Sequence, residues 1–97
     1  MKWTLCYFDD QIQNIEVWKD LLEENFNVVG CADALKYPMI MKDNHPHAFM
    51  LDVHMPVMNG HDLYKKITEH PLYNGCPIFF ISADVSDENK IRAYESG

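Results

Sequence analysis

Asp9 and Asp10 close the apolar run Leu5-Cys6-Tyr7-Phe8, Asp52 closes the run from His47 to Leu51, and Ser82 follows Ile78-Phe79-Phe80-Ile81. If these runs are parallel strands of one sheet, their carboxyl ends share one edge, where ligands sit in open α/β sheets. Three carboxylates gathered there repel one another, and the cluster costs stability unless a cation occupies it. An all-oxygen donor set favours Mg²⁺, Mn²⁺ or Ca²⁺ over zinc. An Asp at a strand end also commonly caps a helix or a turn, and Asp9 or Asp10 alone fits such a cap. The three strand ends taken together match the ligand edge, which capping does not explain.

Positioning these groups requires strands and helices in alternation. Ile12, Ile15, Trp18, Leu21 and Leu22 recur at helical spacing with charges between them, as an amphipathic helix requires. Phe26 to Cys31 reads as a second strand, and Asp33 as the cap of a helix through about Lys42. Pro38 means that this helix is kinked or starts late. The loop from Val53 to Gly60 holds Pro56 and the turn signal Asn59-Gly60. Leu63 and Ile67 mark a third helix that stops before Pro71. The continuous apolar run Ile78 to Ile81 reads as a strand buried on both faces. Ser86, with Asn89 and Ile91 following, predicts a last helix over 86–96. The order β-α-β-α-β-α-β-α implies parallel strands with right-handed crossovers.

The 97 residues suit one compact domain with a small core. A composition of 47% hydrophobic and 24% charged residues is that of a globular chain and argues against disorder. Eight Lys plus Arg stand against fifteen Asp plus Glu, for a net charge of −7 with no basic run. That leaves no electrostatic footprint for nucleic acid or an anionic membrane. No stretch approaches the roughly 18 apolar residues of a membrane span, and the short apolar run ending at Asp9 is no signal peptide. Cys6, Cys31 and Cys76 lack framework or C-x-x-C spacing, which points to reduced structural thiols in a cytoplasm. His45, His47, His54, His61 and His70 show no helical zinc spacing with a third ligand placed.

Phe8-Asp9-Asp10, the block MLDVHMPVMNG from Met50 to Gly60, FISA from Phe80 to Ala83, and the closing AYESG resemble the receiver domain of bacterial response regulators. The resemblance covers the whole chain. It implies a flavodoxin-like doubly wound parallel sheet, for which a receiver protein is itself a standard example of the strand order. It implies that Asp52 is the phosphoacceptor, taking its phosphoryl group from a histidine kinase or a phosphotransfer protein. Mg²⁺ or Mn²⁺ would be held by Asp10 directly, Asp9 mainly through water, Asp52, and the backbone carbonyl of His54. Ser82 would sense the phosphoryl group, small Ala83 would leave the approach open, and Pro56 and Gly60 would shape the adjoining loop. Gly60 would do so by supplying a backbone angle that other residues resist. His54 and Asp84 would flank the path of hydrolytic water and tune rates. The domain would be regulatory, acting at most on its own phosphorylation state.

The family carries a Lys at the end of a fifth strand, with a fifth helix beyond, and the chain stops before the expected start of that strand. The resemblance is thus to a receiver domain over 1–97 that is C-terminally incomplete, with four strands in the order 2-1-3-4. An unpaired strand at Ile78–Ile81 would be a bare edge, which predicts dimerisation or segment exchange through it. Two other readings stay open. One is a receiver-like scaffold that only binds partners. The other is an Asp-nucleophile phosphatase of the dehalogenase type, although His54 stands where that family has its second Asp.

Overall fold

The computed structural model describes residues 2–83 and 91–96, with side chains through Ile81. The apolar runs form β1 (Trp3–Phe8), β2 (Phe26–Cys31), β3 (Ala48–Asp52) and β4 (Ile78–Ala83), and Ile91–Ser96 forms β5. They make one sheet in the order β2-β1-β3-β4-β5. The first four strands are parallel, as expected, in the order 2-1-3-4. In register, Phe8 lies opposite Cys31 and Leu51, and Asp52 lies opposite Ile81. The carboxyl ends of the central strands are therefore level.

Alternation along each strand divides the core in two. Phe8, Phe49, Leu51, Ile78 and Phe80 belong to one buried cluster, which Met41, Leu63 and Ile67 complete. Leu5, Tyr7, Met50 and Ile81 form the cluster on the opposite face.

The helices are α1 (Ile12–Leu22), α2 (Tyr37–Asn44) and α3 (Gly60–Thr68). α3 starts at Asn59, whose side chain accepts the Asp62 N–H at 2.8 Å. That is an N-cap, where the sequence had shown only a turn. Leu63 and Ile67 are fully buried, as their spacing predicts. The helix expected from Asp33 is split in two. Asp33 caps a 3-10 turn, Ala34–Lys36, by accepting the Leu35 N–H, and α2 follows with Pro38 in its first turn. Proline lacks the amide that a helix interior needs but loses nothing in the first turn, so the late start is the outcome.

α1 packs Ile15, Trp18 and Leu22 against the second cluster but buries no residue fully. Between it and the sheet lies an apolar groove of about 220 Å³, with Leu5, Met50, Phe79 and Ile81 among the residues forming its floor and Trp18 and Leu22 its wall. Among the described residues, no helix is long and apolar enough to cross a membrane.

The last element corrects the sequence reading. In place of a helix through Ser96, Ile91–Ser96 runs antiparallel to β4, with Ser82 opposite Arg92 and Ala83 opposite Ile91. A parallel fifth strand would need a crossover of a dozen or more residues, and only 84–90 separate the two strands. Pairing satisfies the row of amides and carbonyls along β4, which a short helix lying elsewhere would leave open. The bare β4 edge on which dimerisation was expected is thus occupied within the chain. The remainder of the expected helix, 86–90, lies outside the described residues.

Candidate functional site

β1 delivers Asp9 and Asp10, and β3 delivers Asp52, to the same edge of the sheet. Each of the three offers a carboxylate oxygen, and these oxygens all lie within 4.8 Å of one another. Among the described residues, this is the one group of metal-ligating side chains so placed. Asp9 and Asp52 are buried, and Asp10 is partly open to solvent.

Asp9 is held by both oxygens. Its Oδ1 accepts the Gln11 N–H at 2.9 Å, and its Oδ2 accepts the Tyr7 hydroxyl at 2.5 Å. The bond to Gln11 closes the turn into α1, so part of the capping expectation holds for Asp9. The α1 N-cap itself, Gln11, has no side-chain cap bond. Asp10 accepts a longer contact from Gln11 Nε2 at 3.3 Å. Asp52 Oδ1 accepts the His54 N–H at 3.1 Å.

Charge is costly in this pocket. Burial, reinforced by the neighbouring Asp9 and Asp10 carboxylates, pushes the Asp52 carboxyl up to about 6, against the opposing pull of the His54 N–H. Burial and the bond to Asp9 raise the Tyr7 phenol well above its ordinary range, so it remains a neutral donor. A divalent cation would supply counter-charge to such an all-oxygen set, and the residues present fit one.

The loop after Asp52 is pinned by Met55 and Met58, both buried, while His54, Pro56 and Val57 stay exposed. Pro56, Met55 and Met58 line a small cleft with Asp10 and Asp33. Gly60 serves a different purpose from the one expected. Among the described residues, the positive glycine angle belongs to Gly75, at φ 84°. At Gly60 the constraint is space, because a Cβ there would stand 2.6 Å from the Asp52 carbonyl oxygen. The glycine lets α3 begin against the end of β3, with its N–H bonded to the Val53 carbonyl.

Ser82 and Ala83 are the last residues of β4, just beyond Ile81, the register partner of Asp52. Asp84 lies outside the described residues. Three of the histidines make contacts within the fold. The Nδ1 atoms of His47 and His70 accept the Thr4 and Leu72 N–H groups, and His61 packs on Phe80. The Cys6 thiol is fully buried and pushed up to about 12, foremost by burial, which makes it an inert core group. Tyr7 is the site residue that sequence reasoning passed over. Its signal was the i, i+2 spacing to Asp9, which puts both on one side of the extended chain as it leaves β1.

A doubly wound sheet with its acidic cluster at the carboxyl edge defines a class of flavodoxin-like α/β proteins. Within that class, residues 5–97 match the family described as response regulator receiver domain, and the chain belongs to that family. It is 34% identical to regulatory protein VanRB of Enterococcus faecalis over 91% of its own length and 38% of the relative's. It is 31% identical to transcriptional regulatory protein YvrH of Bacillus subtilis over 97% of its length and 39% of the relative's. The chain thus spans well under half of these relatives. A CheY-like receiver domain of Methylobacillus flagellatus superposes with a TM-score of 0.79 at 20% identity, covering 93% of this chain and 77% of that one. For chemotaxis protein CheY4 of Vibrio cholerae the score is 0.78 at 22% identity, covering 91% and 74%. Receiver domains are regulatory modules. In general they bind Mg²⁺ at an acidic pocket and interact with histidine kinases and phosphotransfer proteins.

Proposed function

We propose that this chain is a phosphoacceptor receiver domain that takes a phosphoryl group onto Asp52 from a histidine kinase or a histidine phosphotransfer protein. The observation that carries the reading is the meeting of Asp9, Asp10 and Asp52 oxygens within 4.8 Å at the carboxyl edge of the sheet. An ionised Asp52 oxygen attacks phosphorus in line, the P–N bond to the donor imidazole breaks, and the nitrogen keeps the electron pair. Asp9, Asp10, Asp52 and the His54 carbonyl would hold Mg²⁺. When bound, the ion supplies charge neutralisation on the phosphoryl oxygens and favours the ionised carboxylate. Ser82 would bond the new phosphoryl group from the end of β4, Ala83 would keep the approach clear, and His54 and Asp84 would tune its loss. The added charge biases the neighbouring loop between two arrangements, which is how such a domain signals. The three free thiols suit a cytoplasmic setting.

The test is intact mass after incubation with Mg²⁺ and a small acyl-phosphate donor. The wild-type chain should gain one labile phosphoryl group, and Asp52→Asn none. A second reading, a binding-only receiver, draws on the antiparallel course of β5. β5 meets the end of β4 with its amino end, Ile91 standing opposite Ala83, so its carboxyl end lies away from the acidic edge. An unchanged wild-type mass alongside measurable Mg²⁺ binding would favour that reading. Steady turnover of a phosphoester would instead favour the phosphatase.

A further inference from the structure

Tyr7 performs two tasks at once. Its ring is fully buried in the cluster with Leu5, Met50 and Ile81, and Trp18 of α1 meets it edge-on at 6.5 Å. Its hydroxyl reaches out of that packing to the Asp9 carboxylate. With the ring packed among these side chains, its oxygen is held against Asp9. With the Gln11 N–H on the other oxygen, the Asp9 carboxylate plane is fixed at both ends.

We infer that Tyr7 is a positioning residue for the acidic pocket, orienting Asp9 towards a bound cation and linking the pocket to the packing beneath α1. The inference rests on the Mg²⁺ reading above. Carboxylates at metal sites are held by hydrogen bonds of their own, and loss of such a partner typically costs 10–100-fold in metal affinity. Tyr7→Phe keeps the ring and its packing and removes only the donor.

The experiment is a calorimetric Mg²⁺ titration of the wild-type chain and Tyr7→Phe, joined to NMR of tyrosine Cζ carbons. The resonance missing from the variant identifies Tyr7. The variant should bind Mg²⁺ about tenfold more weakly while melting as a folded protein. In the wild type, the Tyr7 resonance should move with the same midpoint as the heat of binding. A purely structural tyrosine would leave the Mg²⁺ affinity unchanged in Tyr7→Phe. Equal affinities within twofold, or a Tyr7 resonance that stays still while Mg²⁺ binds, would overturn the role of Tyr7 and leave the pocket reading intact. A flat wild-type titration on a folded chain would overturn both.

Discussion

On one face of the sheet, α2 and α3 close over Phe49 and Phe80, and Leu63 and Ile67 lose all contact with solvent. On the other face α1 is the one helix among the described residues; it buries nothing completely and leaves the groove of about 220 Å³ beside it. Ile12, Val17 and Leu21 on its outer surfaces are more than half exposed. The two faces therefore divide the work of the fold. The closed face supplies most of the packing, whereas Asp9 is anchored through Tyr7 into the open one. The chemistry is thus tied to the part of the core with the most room to shift.

The largest effect should come from truncation on the closed face. Leu63→Ala removes a fully buried side chain and should cost about 3–4 kcal/mol in urea unfolding, a large share of the stability of a domain this size. Leu22→Ala, half-buried at the groove wall, should cost about 1 kcal/mol or less. Equal losses at the two sites would erase the contrast between the faces.

Acidification probes the join between them. The Asp52 carboxyl sits at about 6 in the folded chain and near the ordinary 3.8 of an aspartate when unfolded, so the folded state binds the extra proton between those values. The resulting stabilisation is complete below the unfolded value and fades as pH rises through about 6. Without divalent ions, thermal melting should rise as pH falls from 7.5 to 5. Asp52→Asn should flatten that slope and raise stability at pH 7.5 by about 1 kcal/mol, allowing for screening at the open mouth of the pocket. A melting temperature that falls over this range in the wild type would contradict the electrostatic account.

An effect of similar size, about 1 kcal/mol, is expected from Asn59→Ala, which deletes the cap bond to the Asp62 N–H at the start of α3. Chemical denaturation of this variant should show a lowered midpoint with an unchanged slope.

The parallel strands and the acidic edge were legible in the sequence because both depend on local signals. Apolar runs of strand length, each closing on Asp or Ser, place those groups together once the strands align. Three features were not legible, because each depends on what lies across space. The helical reading of Ile91 to Ser96 could not register the pull of the unpaired β4 edge. The turn signal at Asn59-Gly60 could not disclose that a Cβ on Gly60 would collide with the Asp52 carbonyl. The apolar run around Tyr7 hid a hydroxyl whose partner stands two residues on.

The antiparallel pairing of β4 and β5 also bears on how the chain acquires its shape. The other pairings, such as β1 with β2 and with β3, join segments that must wait for intervening helices, and contacts of that kind form slowly. A hairpin closes in about 1–10 μs once both strands exist. At roughly 5–20 residues per second of synthesis, Ser96 follows Ala83 by about 1–3 s. The hydrophobic strand Ile78–Ile81 would thus stay open to neighbouring chains only briefly during synthesis, which gives nascent molecules little time to aggregate through it.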